Sequence, residues 1–211
     1  VVAIGMFDGV HVGHQRLIRT AVRLARQWRG TSVVMTFDPD PQRVLRPSAA
    51  LNLLTLLPER LRLIEALGVQ VTWVVPFTRR LSRVPAEAFA QRMLRQRLRA
   101  GAVVVGSNFS FGKDRRGSID VLRRFGLRHG MRIVVVPPVR RGGALVSSSR
   151  IRAALQRGDI ERARRWLGHA VALCGTVVHG DARGRALGFP TANLRLASGV
   201  MPARGVYAVR V

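Results

Sequence analysis

The chain has 211 residues and 47% hydrophobic content, which suffices for one large domain or for a full domain with a small second one. No apolar run is long enough for a membrane span, and the single cysteine, Cys174, excludes an internal disulfide, so we expect a cytoplasmic protein. The net charge of +25 comes almost wholly from arginine, without interleaved aromatic residues, and we interpret most of it as solvated helix faces rather than a nucleic-acid surface.

Predicted strands and helices alternate along residues 1–168. Continuous apolar runs predict strands at 1–4, 32–37, 69–75, 102–105 and 132–136. Helical spacing predicts helices over 17–28, near 53–67 with Thr55 as candidate cap, and over 85–100, 119–129, 151–157 and 160–167. This alternation favours a parallel sheet covered on both faces. Over 169–211 the helical period disappears, and predicted strands at 173–178 and 205–211 indicate an antiparallel β domain.

A loop with two histidines joins the first predicted strand to the first helix. Its notable positions are Gly5, Phe7, Asp8, Gly9, His11 and His14. Unpaired N–H groups at a helix start suit a phosphate, and histidines three apart lie on one side of a first turn. We therefore predict a site where an anion attacks a nucleoside triphosphate, with charge on the phosphoryl oxygens stabilised by both imidazoles. The alternative is that one histidine satisfies the loop and the other caps the helix.

Three further segments follow predicted strands or begin a helix. Residues 36–41 (TFDPDP) contain prolines that disfavour a helix, so we expect an extended loop. Residues 103–112 (VVVGSNFSFG) place Asn108, Phe109 and Phe111 where rings can stack on a flat apolar ligand; core packing is the alternative, more so for Phe109 than for Phe111. Residues 146–155 (VSSSRIRAAL) form a hydroxyl and arginine cluster suited to a triphosphate, with simple helix capping as the alternative.

The predicted second domain contains the segment GTVVHGDARGRALGFPTANL (175–194). Its glycines, Gly180, Gly184 and Gly188, allow a backbone to approach a phosphate closely. Thr191 and Asn193 offer oxygen ligands suited to Mg²⁺ beside a nucleotide.

These segments together resemble one family. GMFDGVHVGHQ (5–15) resembles the G-x-F-D-G-x-H-x-G-H signature of nucleotidyltransferases, and most closely that of the bacterial bifunctional riboflavin kinase/FAD synthetases. Residues 103–112 resemble the family's flavin segment, 146–155 its S-S-T-x-I-R motif, and 188–194 its riboflavin kinase signature. The resemblance implies a Rossmann-like nucleotidyltransferase domain over 1–168 and the start of an antiparallel β-barrel kinase domain over 169–211.

The resemblance also implies an activity: transfer of AMP from ATP to FMN, giving FAD and pyrophosphate, with Mg²⁺ as cofactor. His11 and His14 would be catalytic. ATP contacts are expected from Gly5, Phe7, Asp8, Gly9, His11, His14, Ser148, Ser149 and Arg152, and flavin contacts from Asn108, Phe109 and Phe111. In the riboflavin kinase part, nucleotide and metal contacts are expected from Gly184, Gly188, Thr191 and Asn193, the last two binding Mg²⁺.

The chain departs from the family pattern at three positions. Asp40 replaces a histidine, and its carboxylate would repel a phosphate held there; Ser107 and Ser110 replace an acidic residue and an arginine, so one charge pair is lost. The family's downstream glutamate lies beyond Val211, so we expect no riboflavin phosphorylation by residues 1–211 alone, and the abrupt start suggests missing residues before Val1.

Two alternative functions stay open from the residues. One is another H-x-G-H nucleotidyltransferase of the cytidylyl or pantetheine-phosphate type, which the GFPTANL segment disfavours. The other is a nucleic-acid-binding protein, which rests on charge alone. Small-molecule substrates are the expected partners, without a membrane or nucleic acid, and the oligomeric state is left open.

Overall fold

Five parallel strands form the main sheet of the structure. They are seen in a computed structural model that describes residues 1–48, 52–180, 188–189, 191–197 and 199–211. The strands are Val2–Ile4 (β1), Val33–Asp38 (β2), Val71–Pro76 (β3), Ala102–Gly106 (β4) and Arg132–Val136 (β5). Their spatial order is β3–β2–β1–β4–β5, with every adjacent pair parallel. The predicted parallel sheet is therefore confirmed.

The middle of the sheet is buried on both faces, as the continuous apolar runs predicted. All of β1 is buried, and residues 102–105 of β4 are fully covered. Val2 pairs with Val33 of β2 on one side and with Val103 of β4 on the other. The carboxyl ends of these three strands therefore lie side by side, at the edge where open parallel sheets bind ligands.

Helices cover this sheet. They are Val12–Gln27 (α1), Pro41–Leu45 (α2), Leu57–Glu65 (α3), Arg79–Ser82 (α4), Ala86–Phe89 (α5), Ile119–Arg128 (α6), Ser148–Gln156 (α7) and Ile160–Leu167 (α8), with a π-helix at Ala90–Arg97 and a 3-10 turn at Lys113–Arg115. The apolar positions that predicted the first helix are buried in α1, among them Leu17, Ile18 and Ala21. None of the helices in the described part of the chain has the length and hydropathy that a membrane crossing requires.

Two predictions about helix starts are wrong. The segment 36–41 is not only an extended loop, because α2 begins at Pro41, where a missing N–H costs nothing, and Asp40 caps it. The helix predicted near residue 53 begins only at Leu57. Thr55 does not cap it, since its hydroxyl instead accepts a hydrogen bond from the Gly9 N–H at 2.9 Å.

After residue 168 the described chain contains one antiparallel pair, Gly175–Val178 (β8) and Asn193–Leu196 (β9). A short hairpin, Arg140–Arg141 (β6) and Ala144–Leu145 (β7), precedes α7. The strand predicted at 205–211 is not formed: these residues pair with no strand in the described chain, and Val206 and Val211 are fully exposed. The two-stranded pair does not establish the predicted barrel.

Gly126 tests the packing of α6 against β5. A Cβ placed there would lie 2.4 Å from the Met131 carbonyl oxygen and 2.9 Å from Ile133 Cγ1. We expect Gly126→Ala to lower the free energy of unfolding by about 2 kcal/mol, because a backbone carbonyl cannot move aside without shifting the strand. Urea denaturation measures this. Gly30→Ala is the control, since its Cβ would meet only one atom, 4.0 Å away; equal stability of both variants would contradict this packing.

Candidate active site

His11 is both the cap of α1 and part of the candidate site. Its Nδ1 accepts hydrogen bonds from the N–H groups of Gly13 and His14, at 3.2 and 3.3 Å. The alternative in which a histidine caps the helix is thus correct for His11. Because Nδ1 must be unprotonated to accept these bonds, the neutral ring carries its proton on Nε2, and the structure leaves that N–H as the donor.

The two imidazoles stack on each other. Their ring centroids lie 3.6 Å apart with an interplanar angle of 17°, and the buried ring of Phe7 meets His14 edge-on at 5.4 Å. The predicted placement of both histidines on one side of the first turn is confirmed. His14 Nδ1 is fully covered and has no hydrogen-bond partner among the described residues. A covered polar atom without a partner is the kind of group that a bound ligand can satisfy.

Burial keeps both histidines neutral. It lowers the pKa of His11 to about 4, an effect that the hydrogen bond to its own backbone only partly opposes. It also holds the pKa of His14 well below its usual range, and the neighbouring His11 lowers it further. At neutral pH the pair therefore offers hydrogen-bond donors rather than two cations.

Asp8 connects three distant parts of the chain. Its Oδ1 accepts hydrogen bonds from the N–H groups of Leu54 and Thr55, at 2.9 and 3.1 Å. Its Oδ2 is paired with the guanidinium of Arg152, and its backbone carbonyl accepts a hydrogen bond from Ser148 Oγ at 2.9 Å. The start of α7 is thereby attached to the segment that carries the two histidines, residues 5–14, which we call the histidine loop. The structure thus brings Ser148 and Arg152, two of the residues predicted as ATP contacts, to the histidine loop.

The remaining residues of the hydroxyl cluster have different roles. Ser147 is the cap of α7, accepting a hydrogen bond from the Arg150 N–H at 3.4 Å. Ser149 is exposed, and no hydrogen bond joins it to the histidine loop in the described chain. Arg152 also donates from Nε to the Asn52 carbonyl at 2.7 Å. Its role as a phosphate contact stays a prediction, because two of its donors are already engaged by protein.

A buried arginine beneath the loop was missed from the sequence. Arg60, 1% exposed, donates to the carbonyls of Met6 and Phe37 at 3.1 and 3.2 Å and lies 3.6 Å from Asp38. It thereby links the segments that follow β1 and β2. The available signal was its position four residues before the fully buried Ile64, on the inner face of α3. Gln15 and His169 were also missed; they bond to the Val10 and Gly9 carbonyls, at 3.0 and 2.9 Å.

Asp40 is buried, and one oxygen of its carboxylate is engaged within the chain. Its Oδ1 accepts a hydrogen bond from the Gln42 N–H at 2.8 Å as the cap of α2. Burial raises its pKa and the Asp8 carboxylate adds to the rise, whereas the Gln42 hydrogen bond, Arg60 and Arg152 oppose it. Two guanidinium groups thus act on this carboxylate, and the expected repulsion of a phosphate by Asp40 stays a prediction.

The predicted flavin segment contains a stacked pair of rings. Phe109 and Phe111 have centroids 5.4 Å apart with an interplanar angle of 18°. Phe111, for which core packing was the weaker expectation, is the more buried ring, at 8% exposure within the main core. Phe109 is half-buried and Asn108 is exposed. Ser110 accepts a hydrogen bond from Arg115 Nε at 2.8 Å, so an arginine is present beside the position where the family pattern has one.

The predicted kinase residues lie apart from this site, on or beside the β8–β9 pair. Thr191 and Asn193 are exposed, Gly188 has a φ of +79°, and Gly184 lies outside the described residues. A Cβ at Gly180 would collide with the Asn193 side chain, which packs over it. No group of three histidine, cysteine or acidic side chains suited to a metal occurs in the described ranges. Thr191 and Asn193 carry a hydroxyl and an amide oxygen, which are not among those side chains, and their contact to Mg²⁺ stays a prediction.

Comparisons with known proteins match the chain to two family profiles and to several relatives. A family profile described as FAD synthetase matches residues 1–150, and one described as riboflavin kinase matches residues 167–211. Bifunctional riboflavin kinase/FMN adenylyltransferases of Escherichia coli K12 and Listeria monocytogenes are 38% and 37% identical over 211 and 212 residues, which is 100% of this chain and 67% of each relative. A solved structure titled macrolide-efflux protein, from Streptococcus pneumoniae, aligns with a TM-score of 0.87 and 35% identity, over 98% of this chain and 67% of that one.

The lowered pKa of His11 predicts a pH-dependent stability. Between the ordinary histidine pKa of about 6.5 and the folded value of about 4, the unfolded chain binds a proton that folded His11 does not, so stability falls as the pH falls. His11→Asn removes this titration and keeps a side-chain oxygen that can cap α1. Urea denaturation at pH 7 and 5 should show a loss smaller by roughly 1–2 kcal/mol in the variant. Identical losses in both proteins would contradict the burial of a neutral His11.

Proposed function

Because the chain belongs to the FAD synthetase family, we propose that it transfers the adenylyl group of ATP to FMN, giving FAD and pyrophosphate. The observation that carries this proposal is the attachment of α7 to the histidine loop through Asp8, Ser148 and Arg152. It brings the first turn of α7, the two imidazoles and a guanidinium to one edge of the sheet, and N–H donors of these kinds bind phosphate oxygens.

The reaction is a displacement at phosphorus. An oxygen of the FMN phosphate forms a bond to the α-phosphorus of ATP, and the bond from that phosphorus to the oxygen bridging the β-phosphate breaks. The electron pair leaves with pyrophosphate, so no protein nucleophile is needed. Positioning and stabilisation of the phosphoryl oxygens then account for the catalysis.

The histidine pair would act at the α-phosphate. His11 presents Nε2–H because its Nδ1 is engaged by the start of α1. His14, stacked on it, has a covered Nδ1 that a bound ligand could satisfy. Gly5, Phe7 and Gly9 shape the loop: a side chain at Gly5 would strike the Phe7 ring, and Gly9 has a φ of +80°. Without side chains at these glycines, the backbone of the loop leaves room for phosphates to approach the start of α1.

The start of α7 would bind the β- and γ-phosphates. Ser149 is exposed there, and Arg152 is half-buried, with no hydrogen bond from its Nη1 among the described residues. Asp8 fixes the Arg152 guanidinium and would keep it oriented toward the leaving pyrophosphate. The hydrogen bond from Ser148 to the Asp8 carbonyl holds α7 against the histidine loop. Ser148 would thereby position the first turn of α7 for the phosphates.

FMN would bind beside the segment after β4. The half-buried ring of Phe109 and the exposed amide of Asn108 are the groups available to an isoalloxazine ring, while Phe111 supports Phe109 from the core. Residues 169–211 would belong to a riboflavin kinase domain that follows residues 1–168. Gly184, Gly188, Thr191 and Asn193 are proposed there as nucleotide contacts.

A role for Mg²⁺ is consistent with this chemistry, but the described residues do not form a cage for it. Mg²⁺ in such sites is held largely by substrate phosphates. Thr191 and Asn193 are oxygen donors that could contribute in the kinase part. A nucleotidyltransferase of the cytidylyl or pantetheine-phosphate type is not favoured, because the riboflavin kinase profile matches the residues that follow.

A first variant separates the catalytic role of His14 from a structural one. His14→Ala should lower FAD formation from FMN and ATP by about 100-fold or more, because a donor to the phosphoryl oxygens is lost. The fold should be retained, since His14 Nδ1 has no hydrogen bond to lose. Chromatography of the products measures the rate. His179→Ala, at an exposed histidine, is the control and should match the wild type; wild-type turnover by His14→Ala would refute the role.

A second pair of variants separates capping from catalysis at His11. Asn can still accept the hydrogen bonds from Gly13 and His14, whereas Ala cannot, so only His11→Ala should lose about 1 kcal/mol of stability. Both should lose FAD formation, because both lack the Nε2 donor. Urea denaturation and product chromatography are run on the same samples. Normal turnover in His11→Asn would show that His11 acts only as a cap.

A further inference from the structure

A groove of about 760 Å³ lies on the first domain, away from the histidine loop. The β6–β7 hairpin, α7 and α8 form its walls. The polar and aromatic residues that line it are Arg141, Arg150, Arg157, Arg162, Arg165 and Trp166. Five guanidinium groups therefore face one open volume, which is in the size range of small-molecule sites.

Helical spacing places the groove arginines of α7 and α8 on one side of each helix. Arg150, Ala153 and Arg157 share one side of α7 and line the groove, whereas Ser148 and Arg152 point the other way and contact Asp8. Arg162, Arg165 and Trp166 form the matching side of α8. The helix α7 therefore separates the groove from the candidate active site.

The positive charge in the groove is largely uncompensated. Arg162 pairs with Asp159 at 3.0 Å, and none of the other four arginines has an ion pair within the described residues. Like charges that share one groove repel one another, and a bound anion relieves this repulsion. The groove thus differs from an ordinary solvated face, where arginines spread apart or alternate with carboxylates.

Several of these side chains are held in place. Arg141 donates to the Arg165 carbonyl at 2.8 Å, and Arg150 donates to the Leu145 carbonyl at 3.1 Å. The indole N–H of Trp166 donates to the Arg141 carbonyl at 3.3 Å, which fixes the hairpin to α8. Guanidinium groups anchored in this way lose less rotamer freedom on binding and keep other N–H groups for a ligand.

We propose that this groove binds a chain of phosphate groups, as in inorganic tripolyphosphate or a nucleoside triphosphate, at a site separate from the active site. A phosphate chain presents closely spaced negative oxygens that match several guanidinium forks at once. A nucleic acid is disfavoured, because Trp166 is only 7% exposed and offers no face on which bases could stack.

The indole N–H signal of Trp166 reports on binding in this groove. The chain has three tryptophans, so the ¹⁵N-labelled indole N–H signals can be assigned with Trp166→Phe. Titration of the full chain with tripolyphosphate at low ionic strength should shift the Trp166 signal in a saturable way and leave Trp28 and Trp73 unmoved. A Trp166 signal that does not respond would overturn the proposal.

Paired variants then test the arginines. Arg157→Gln/Arg165→Gln should weaken the affinity reported by Trp166 at least tenfold, since two charged donors are lost. Arg19→Gln/Arg23→Gln removes the same charge from the exposed side of α1 and should change the affinity for tripolyphosphate less than about twofold. Equal losses in both would mean that net charge alone attracts the anion, and would overturn the site. Retained FAD formation by both variants verifies that they fold.

A last comparison identifies the ligand source. Equal affinities for tripolyphosphate and a pyrimidine nucleoside triphosphate support recognition of the phosphate chain alone, whereas tighter binding of the nucleotide supports recognition of the nucleotide as well. A short single-stranded RNA that shifts Trp166 at tenfold lower concentration than tripolyphosphate would overturn the proposal in favour of a nucleic-acid surface.

Discussion

The carboxylate of Asp8 is the interaction on which the site depends. One oxygen holds the backbone of Leu54 and Thr55, and the other pairs with Arg152, 144 residues further along the chain. The Asp8 side chain is 5% exposed, so this pairing is shielded from water and stronger than a surface ion pair. Without it, the histidine loop, the chain before α3 and the start of α7 would lose a shared anchor, and the Arg152 guanidinium would lose its carboxylate partner.

The neutral histidine pair follows from the same packing. The hydrogen bonds of Asp8 and Arg60 hold the histidine loop in place, so that Phe7 and the two imidazoles stay covered. This burial lowers the pKa of His11 and of His14. Neutral rings can donate hydrogen bonds to a phosphoryl oxygen without the repulsion of two stacked cations. His11 is capping residue and candidate catalyst at once, since accepting at Nδ1 fixes the tautomer that presents Nε2–H.

Much of this fold could be predicted from the sequence, because buried parallel strands are continuous apolar runs and amphipathic helices have a clear period. The start of α2 was misjudged because Asp40 and Pro41 carry both a turn signal and a helix-start signal, and the cap prevailed. A strand at 205–211 needs a neighbour that local pattern cannot reveal. Arg60, Thr55 and His169 act on the loop from 46 to 160 residues away, and such long-range hydrogen bonds leave no periodic trace in the sequence.

We propose that ATP binds between the histidine loop and the start of α7. A crystal structure with a non-hydrolysable ATP analogue shows where the triphosphate lies. We expect phosphate oxygens within about 3 Å of the imidazole nitrogens of the His11–His14 pair and of the first turn of α7, with the Asp8–Arg152 pair intact. A triphosphate bound at another edge of the sheet, with no contact to either histidine, would contradict it.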